Sequence, residues 1–113
     1  MPFDIMMTLV LLIGVHALAD YPLQGEFLSR EKNRTLPNHL IPWYHAMGAH
    51  AVIHGVFVSL ITGVWWLGVF EAIAHFVIDD DKCLGKISFN TDQMLHIGCK
   101  LVWWLVTLSN TGV

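Results

Sequence analysis

Residues 45–78 read HAMGAHAVIHGVFVSLITGVWWLGVFEAIAHFVI, two apolar runs separated by Thr62-Gly63, with Glu71 as the one Asp, Glu, Lys or Arg in the stretch. Neither run alternates as a half-buried strand does, and each is longer than an ordinary strand. A two-residue break of this kind joins antiparallel neighbours. The stretch predicts a tight helical hairpin, with helices over about 45–62 and 64–79.

Outward from the hairpin, Ile5 to Ala19 is a third apolar run, interrupted by Thr8 and His16, with Pro2 where a helix start tolerates it. Thr91 to Ser109 is a fourth, opening at a cap just before Asp92. They predict helices over about 4–20 and 91–109. Ala17-Leu18-Ala19 meets the small-residue rule for signal cleavage, but the residues before the run carry Asp4 and no Lys or Arg. The segment is therefore read as a retained helix. In loop 21–44, Pro22, Pro37 and Pro42 forbid a long helix and leave room for a short interfacial one around Glu26 to Asn33. Loop 80–90 contains Lys82, Gly85 and Lys86.

The whole chain, 1–113, is one domain. Its 55% hydrophobic and 13% charged residues contrast with roughly 25% charged in soluble domains. The expected fold class is all-α, an integral membrane four-helix bundle in contact with the lipid bilayer. The spans are at the short end of the roughly 20 residues a bilayer requires, so their Asp-bearing ends belong at the interface. Trp43 and Tyr44 on one side, and Trp65, Trp66, Trp103 and Trp104 towards the other, are placed as interfacial anchors. Arg30, Lys32 and Arg34 in one loop and Lys82 and Lys86 in the other put both loops in the cytoplasm and both termini on the non-cytoplasmic side. The net charge of -3 and scattered basic residues argue against a nucleic-acid partner. Cys83 and Cys99 form no CxxC and imply no thiolate site.

Each helix carries polar residues four apart: His16 and Asp20, His50 and His54, His75 and Asp79, Asp92 and His96. That spacing puts both members of a pair on one helical face. In the orientation set by Lys and Arg, all eight fall in the cytoplasmic half, where ionisable groups are costly and point to function. Five imidazoles and three carboxylates suit zinc, or manganese or iron, better than calcium or magnesium. One ion with outer carboxylate partners and a two-ion site are equally compatible with the set. Glu71 precedes His75 by four and Lys100 follows His96 by four on an antiparallel helix, so the two are expected to form a structural ion pair beneath the site.

These residues resemble a family of small bacterial and phage membrane proteins catalogued as domain of unknown function 3307. Its pattern is matched here by His16, Asp20 and Gln24, by His50 and His54, by His75, Asp79 and Lys82, and by Asp92, Gln93 and His96. Tyr21 stands where the family usually has Phe after the first Asp. The resemblance implies a multi-pass protein of the bacterial inner membrane and no settled activity, and it is similar in style to His-rich membrane proteins regarded as metal-dependent hydrolases.

The first expectation is a metal-dependent hydrolase at the cytoplasmic face, in which an ion lowers the pKa of water to about 7 for attack on a phosphoester or similar bond. Asp20, Asp79 and Lys82 are its candidate catalytic residues, Lys82 to hold an anionic oxygen, with His45 and His39 as possible general acids. An anionic small molecule or a lipid is a suitable substrate. The alternatives are an ion or proton transporter or channel subunit, for which the outer half lacks polar groups, and a non-catalytic effector folded around metal. Pairing of the short helices between copies would give a homo-oligomer.

Overall fold

The computed structural model describes residues 3–110, and these form five helices and no strand. They are α1 (Ile5–Asp20), α2 (Gly25–Glu31), α3 (Trp43–Thr62), α4 (Trp65–Cys83) and α5 (Phe89–Asn110). Asp4 caps α1 by accepting from the Met7 N–H at 2.7 Å. Gly25, at φ 68°, then turns the chain through 80° into α2, a bend that an L side chain would resist. α2 lies in loop 21–44, where the prolines leave room for a short helix around Glu26 to Asn33, and it joins the four longer helices expected.

Pro42 precedes α3, and Gly63 ends it at φ 72°, its N–H donating to the Ser59 carbonyl. This left-handed cap is the hairpin turn. A Cβ on Gly55 would stand 2.5 Å from the Gly68 carbonyl oxygen, and one on Gly68 would strike Ser59 Oγ. The backbones of α3 and α4 meet there because neither glycine has a side chain. α1 packs on α3 and α5, and α5 on α4, so the four longer helices close a ring; α2 lies against α3.

Three boundaries move by two residues or more, and the first is the start of α3, at Trp43 where 45 is expected. α4 runs through Asp80, Asp81 and Lys82 to Cys83, where a loop is expected from 80. Its final acidic turn is neutralised by Lys32 on Asp79 and Arg34 on Asp80. α5 begins at Phe89, not at 91, because Ser88 Oγ accepts from the Thr91 N–H at 3.1 Å and serves as the cap.

The interior is polar and the exterior apolar. Among the described residues fifteen polar or charged side chains are buried against nine apolar ones. Val52, Val56, Leu60, Val69, Ile73, Val77, Val102 and Leu105 face outward. The buried apolar cluster, Leu12, Val58, Ile61, Val64 and Leu67, occupies the hairpin-turn end. By length and hydropathy, α3 alone among the described helices suffices to cross a membrane, and α1 with α2 suffices as a bent pair.

Candidate metal centre

α1, α3 and α4 each deliver polar groups to one level of the ring. Asp20 Oδ1 lies 3.2 Å from His50 Nε2, 3.4 Å from His54 Nε2 and 3.6 Å from His75 Nε2. His50 Nε2 and His75 Nε2 are 3.1 Å apart. One ligand atom from each of Asp20, His50, His54 and His75 falls within 4.8 Å of all the others, and this buried group could hold a metal ion. The spacing is informative. Four of the six pairs of ligand atoms are 3.1–3.6 Å apart, and one ion could touch all four residues. His54 Nε2 is buried and makes no hydrogen bond among the described residues. An orphaned imidazole nitrogen costs stability unless something takes its lone pair, and a cation would.

The remaining expected ligands surround this group. Gln93 Nε2 donates to Asp20 Oδ2 at 2.8 Å and to Asp92 Oδ2 at 3.0 Å, while its Oε1 faces His16 Nε2 at 3.2 Å. His96 stacks on His75 with ring centroids 4.1 Å apart and stands 3.2 Å from Asp92 Oδ1. His16 lies 5.2 Å, ring to ring, from both His54 and His96. All eight residues thus come together, but His16, Asp79, Asp92 and His96 lie outside the four-ligand set.

The expected catalytic residues separate. Asp20 sits in the cluster and has the most exposed side chain of the four, 10% against 0–2%. Asp79 reaches His50 at 3.4 Å, but both of its oxygens are engaged, Oδ2 by Lys32 at 2.5 Å and Oδ1 by Lys82 at 3.1 Å. The geometry makes Asp79 an anchor between α2 and the cluster. Lys82 spends its charge on that carboxylate. His39 donates to the Asn33 carbonyl at 2.8 Å, and His45 is exposed against Tyr44. No hydrogen bond, ion pair or ring contact joins either to the cluster among the described residues. Glu71 and Lys100 are buried and bonded to each other, Lys100 Nζ donating to Glu71 Oε1.

Lys32 is the residue the sequence did not mark. Counted as a loop charge facing the cytoplasm, it is 2% exposed and donates to both Gln24 Oε1 and Asp79 Oδ2. Arg34 lies over Trp43, 4.6 Å from the ring centre. Glu31 is equally hidden, its Oε1 accepting from the backbone N–H groups of Leu40 (2.5 Å) and Ile41 (3.0 Å). Burial would raise its carboxyl, yet the Ile41 and Leu40 donors, with Arg30, prevail and hold it below the ordinary carboxylate range.

Fold and site together define an all-helical protein built around an aspartate and three histidines that could hold a metal ion. The chain belongs to the family described as protein of unknown function (DUF3307), whose model matches residues 7–112. No curated protein and no solved structure matches it.

Proposed function

We propose that this chain is a multi-pass protein of the bacterial inner membrane that binds zinc at its cytoplasmic face and hydrolyses a phosphoester or similar bond there. The observation that carries the reading is the convergence of Asp20, His50, His54 and His75 within 4.8 Å. Manganese or iron would suit the same donors less well than zinc at tetrahedral spacing.

The membrane assignment is supported by the inverted polarity: an apolar exterior with ionisable groups turned inward is costly in water and suits lipid. α1, α3, α4 and α5 would be the four spans, and the 49 Å long axis is comparable to a full bilayer of about 40–45 Å. In this arrangement the segments before α3 and before α5 are cytoplasmic and both termini lie opposite; the end at Val113 falls outside the described residues.

A zinc ion so held would supply Lewis-acid chemistry and bring the pKa of water to about 7. Asp20, the member nearest solvent, would hold the ion through Oδ1, the oxygen that faces the three histidines. Gln93 fixes the second Asp20 oxygen, and Lys32 and Lys82 neutralise Asp79 beside it. The test is metal content after purification in mild detergent, followed by hydrolysis of phosphomonoesters and phosphodiesters with and without chelator. Stoichiometric zinc with chelator-sensitive hydrolysis supports the reading, and a chain without metal refutes it.

A second reading, a non-catalytic effector stabilised by metal, is favoured by one feature: four protein ligands complete a tetrahedron and leave no open position. Zinc without hydrolysis would establish it. An ion pathway is opposed by the Leu12, Val58, Ile61, Val64 and Leu67 cluster beyond the Glu71–Lys100 pair.

A further inference from the structure

The candidate metal centre is enclosed, the side chains of Asp20, His50, His54 and His75 being 0–10% exposed. Towards the hairpin turn the interior is closed by the Glu71–Lys100 pair and then by Leu12, Val58, Ile61, Val64 and Leu67. Around the sides stand α1, α3, α4 and α5. The opposite end is where α2 lies. There Gln24, the residue before α2, donates to the Asp20 carbonyl at 3.3 Å, and Lys32, the residue after it, donates to Gln24 Oε1 and to Asp79 Oδ2. Asp79 stands 3.4 Å from His50, and His50 stands 3.2 Å from Asp20. A closed circuit of polar contacts thus runs from one expected ligand to another through both ends of α2.

α2 is also the helix best suited to move. It has seven residues, of which Glu31 alone is buried, and Leu23 and Phe27 beside and within it are exposed. A helix that short is marginal by itself. Polar contacts hold it in place of apolar packing: Lys32 on Asp79, Arg34 on Asp80 and Gln24 on Asp20. Elements with few buried apolar contacts are the ones that open locally while the rest of a fold stays closed. The backbone on either side is left-handed, at Gly25 (φ 68°) and Asn38 (φ 60°), two residue types that tolerate it and can serve as pivots. We propose that α2 and the segment to Asn38 form a hinged gate over the centre, latched by Lys32–Asp79 and Arg34–Asp80, through which a divalent cation enters and leaves. The identity of what passes rests on the metal-binding reading, whereas the opening itself does not.

The opening can be measured without metal. Metal-free protein in mild detergent is treated with diethyl pyrocarbonate, and modification of His50, His54 and His75 is followed peptide by peptide with mass spectrometry. Lys32→Met removes the buried latch, and Arg34→Gln removes the outer one, whose arginine side chain is 39% exposed. Each should speed modification of the three histidines about tenfold by raising the open population, while exposed His45 reacts as before. Glu71→Leu weakens the other end of the interior without touching α2 and should leave the three rates near wild type. Equal rates in wild type and both latch variants, or an equal acceleration by Glu71→Leu, overturn the gate. With zinc, both latch variants should take up and release the ion faster at little change in affinity. Faster release with unchanged uptake would mean that Lys32 and Arg34 support the ligands instead of guarding entry, and also overturns it. Faster modification in a chain that takes up no zinc keeps the hinged opening and removes only the cation, whereas stoichiometric zinc with equal rates does the reverse.

Discussion

Lys32 Nζ lies 2.5 Å from Asp79 Oδ2, 47 residues further along the chain, with both side chains nearly inaccessible to solvent. The pair fastens the short helix α2 to the end of α4 and places a cation beside the carboxylate that touches His50. Lys32→Met would leave the Asp79 charge to Lys82 alone and should destabilise the protein, by less than the roughly 3–5 kcal/mol that a fully stranded buried charge costs. Adding Asp79→Leu should restore most of that loss. Melting temperatures in detergent for the two single variants and the double variant decide; additive losses would mean that the two groups act independently.

Glu71 and Lys100 provide the same kind of test one turn deeper. Either Glu71→Leu or Lys100→Met alone leaves a buried charge unpaired, at a similar cost of about 3–5 kcal/mol. Together they should be much less damaging. A double variant that is stable but inactive would instead assign the pair to proton transfer.

Removal of any one of Asp20, His50, His54 or His75 should abolish stoichiometric zinc. His16→Ala, His96→Ala and Asp92→Ala act through neighbours and should weaken binding about 10–100-fold. Metal titration of the purified variants distinguishes the two groups. Equal losses at all seven positions would favour two ions.

Glu31 gives a pH dependence. Its folded carboxyl is held below the ordinary value of 4.5, so the clasp on Leu40 and Ile41 contributes fully above pH 4.5 and is lost as the pH falls through the lower folded value. Glu31→Gln should lose much of that sensitivity. Proteolysis of the 33–42 segment between pH 3 and 6 measures it, and an unchanged profile would show that the carboxylate is not the latch.

The orientation is testable with single cysteines in a background lacking Cys83 and Cys99. Asn38→Cys and Lys86→Cys should resist an impermeant thiol reagent in intact cells, whereas Trp65→Cys at the hairpin turn should react. The opposite pattern would invert the protein in the membrane.

Local signals in the sequence were sufficient for the helices and for the pairs four apart, because both depend on spacing along a single helix. His16, Asp20, His75 and Asp79 lie towards the C-terminal ends of α1 and α4, His50 and His54 near the middle of α3, and Asp92 and His96 near the N-terminus of α5, so the alternating course of the helices brings the eight together. The sequence could not tell which four converge, since that depends on helix rotation about the ring. Nor could it mark Lys32, whose partners are on α4 and eight residues back at Gln24. A lysine among loop charges looks the same whether solvated or buried.

Gly55 and Gly68 carry a consequence for the order of assembly. With the two backbones touching across a two-residue turn, α3 and α4 form a unit whose contacts are local and quickly made. That unit alone contains His50, His54 and His75. The hairpin can therefore present three imidazoles before the rest of the ring has closed, and α1 completes the set by adding the one anionic donor. A metal captured at the hairpin stage would recruit Asp20, and with it α1, to the position it occupies in the finished fold.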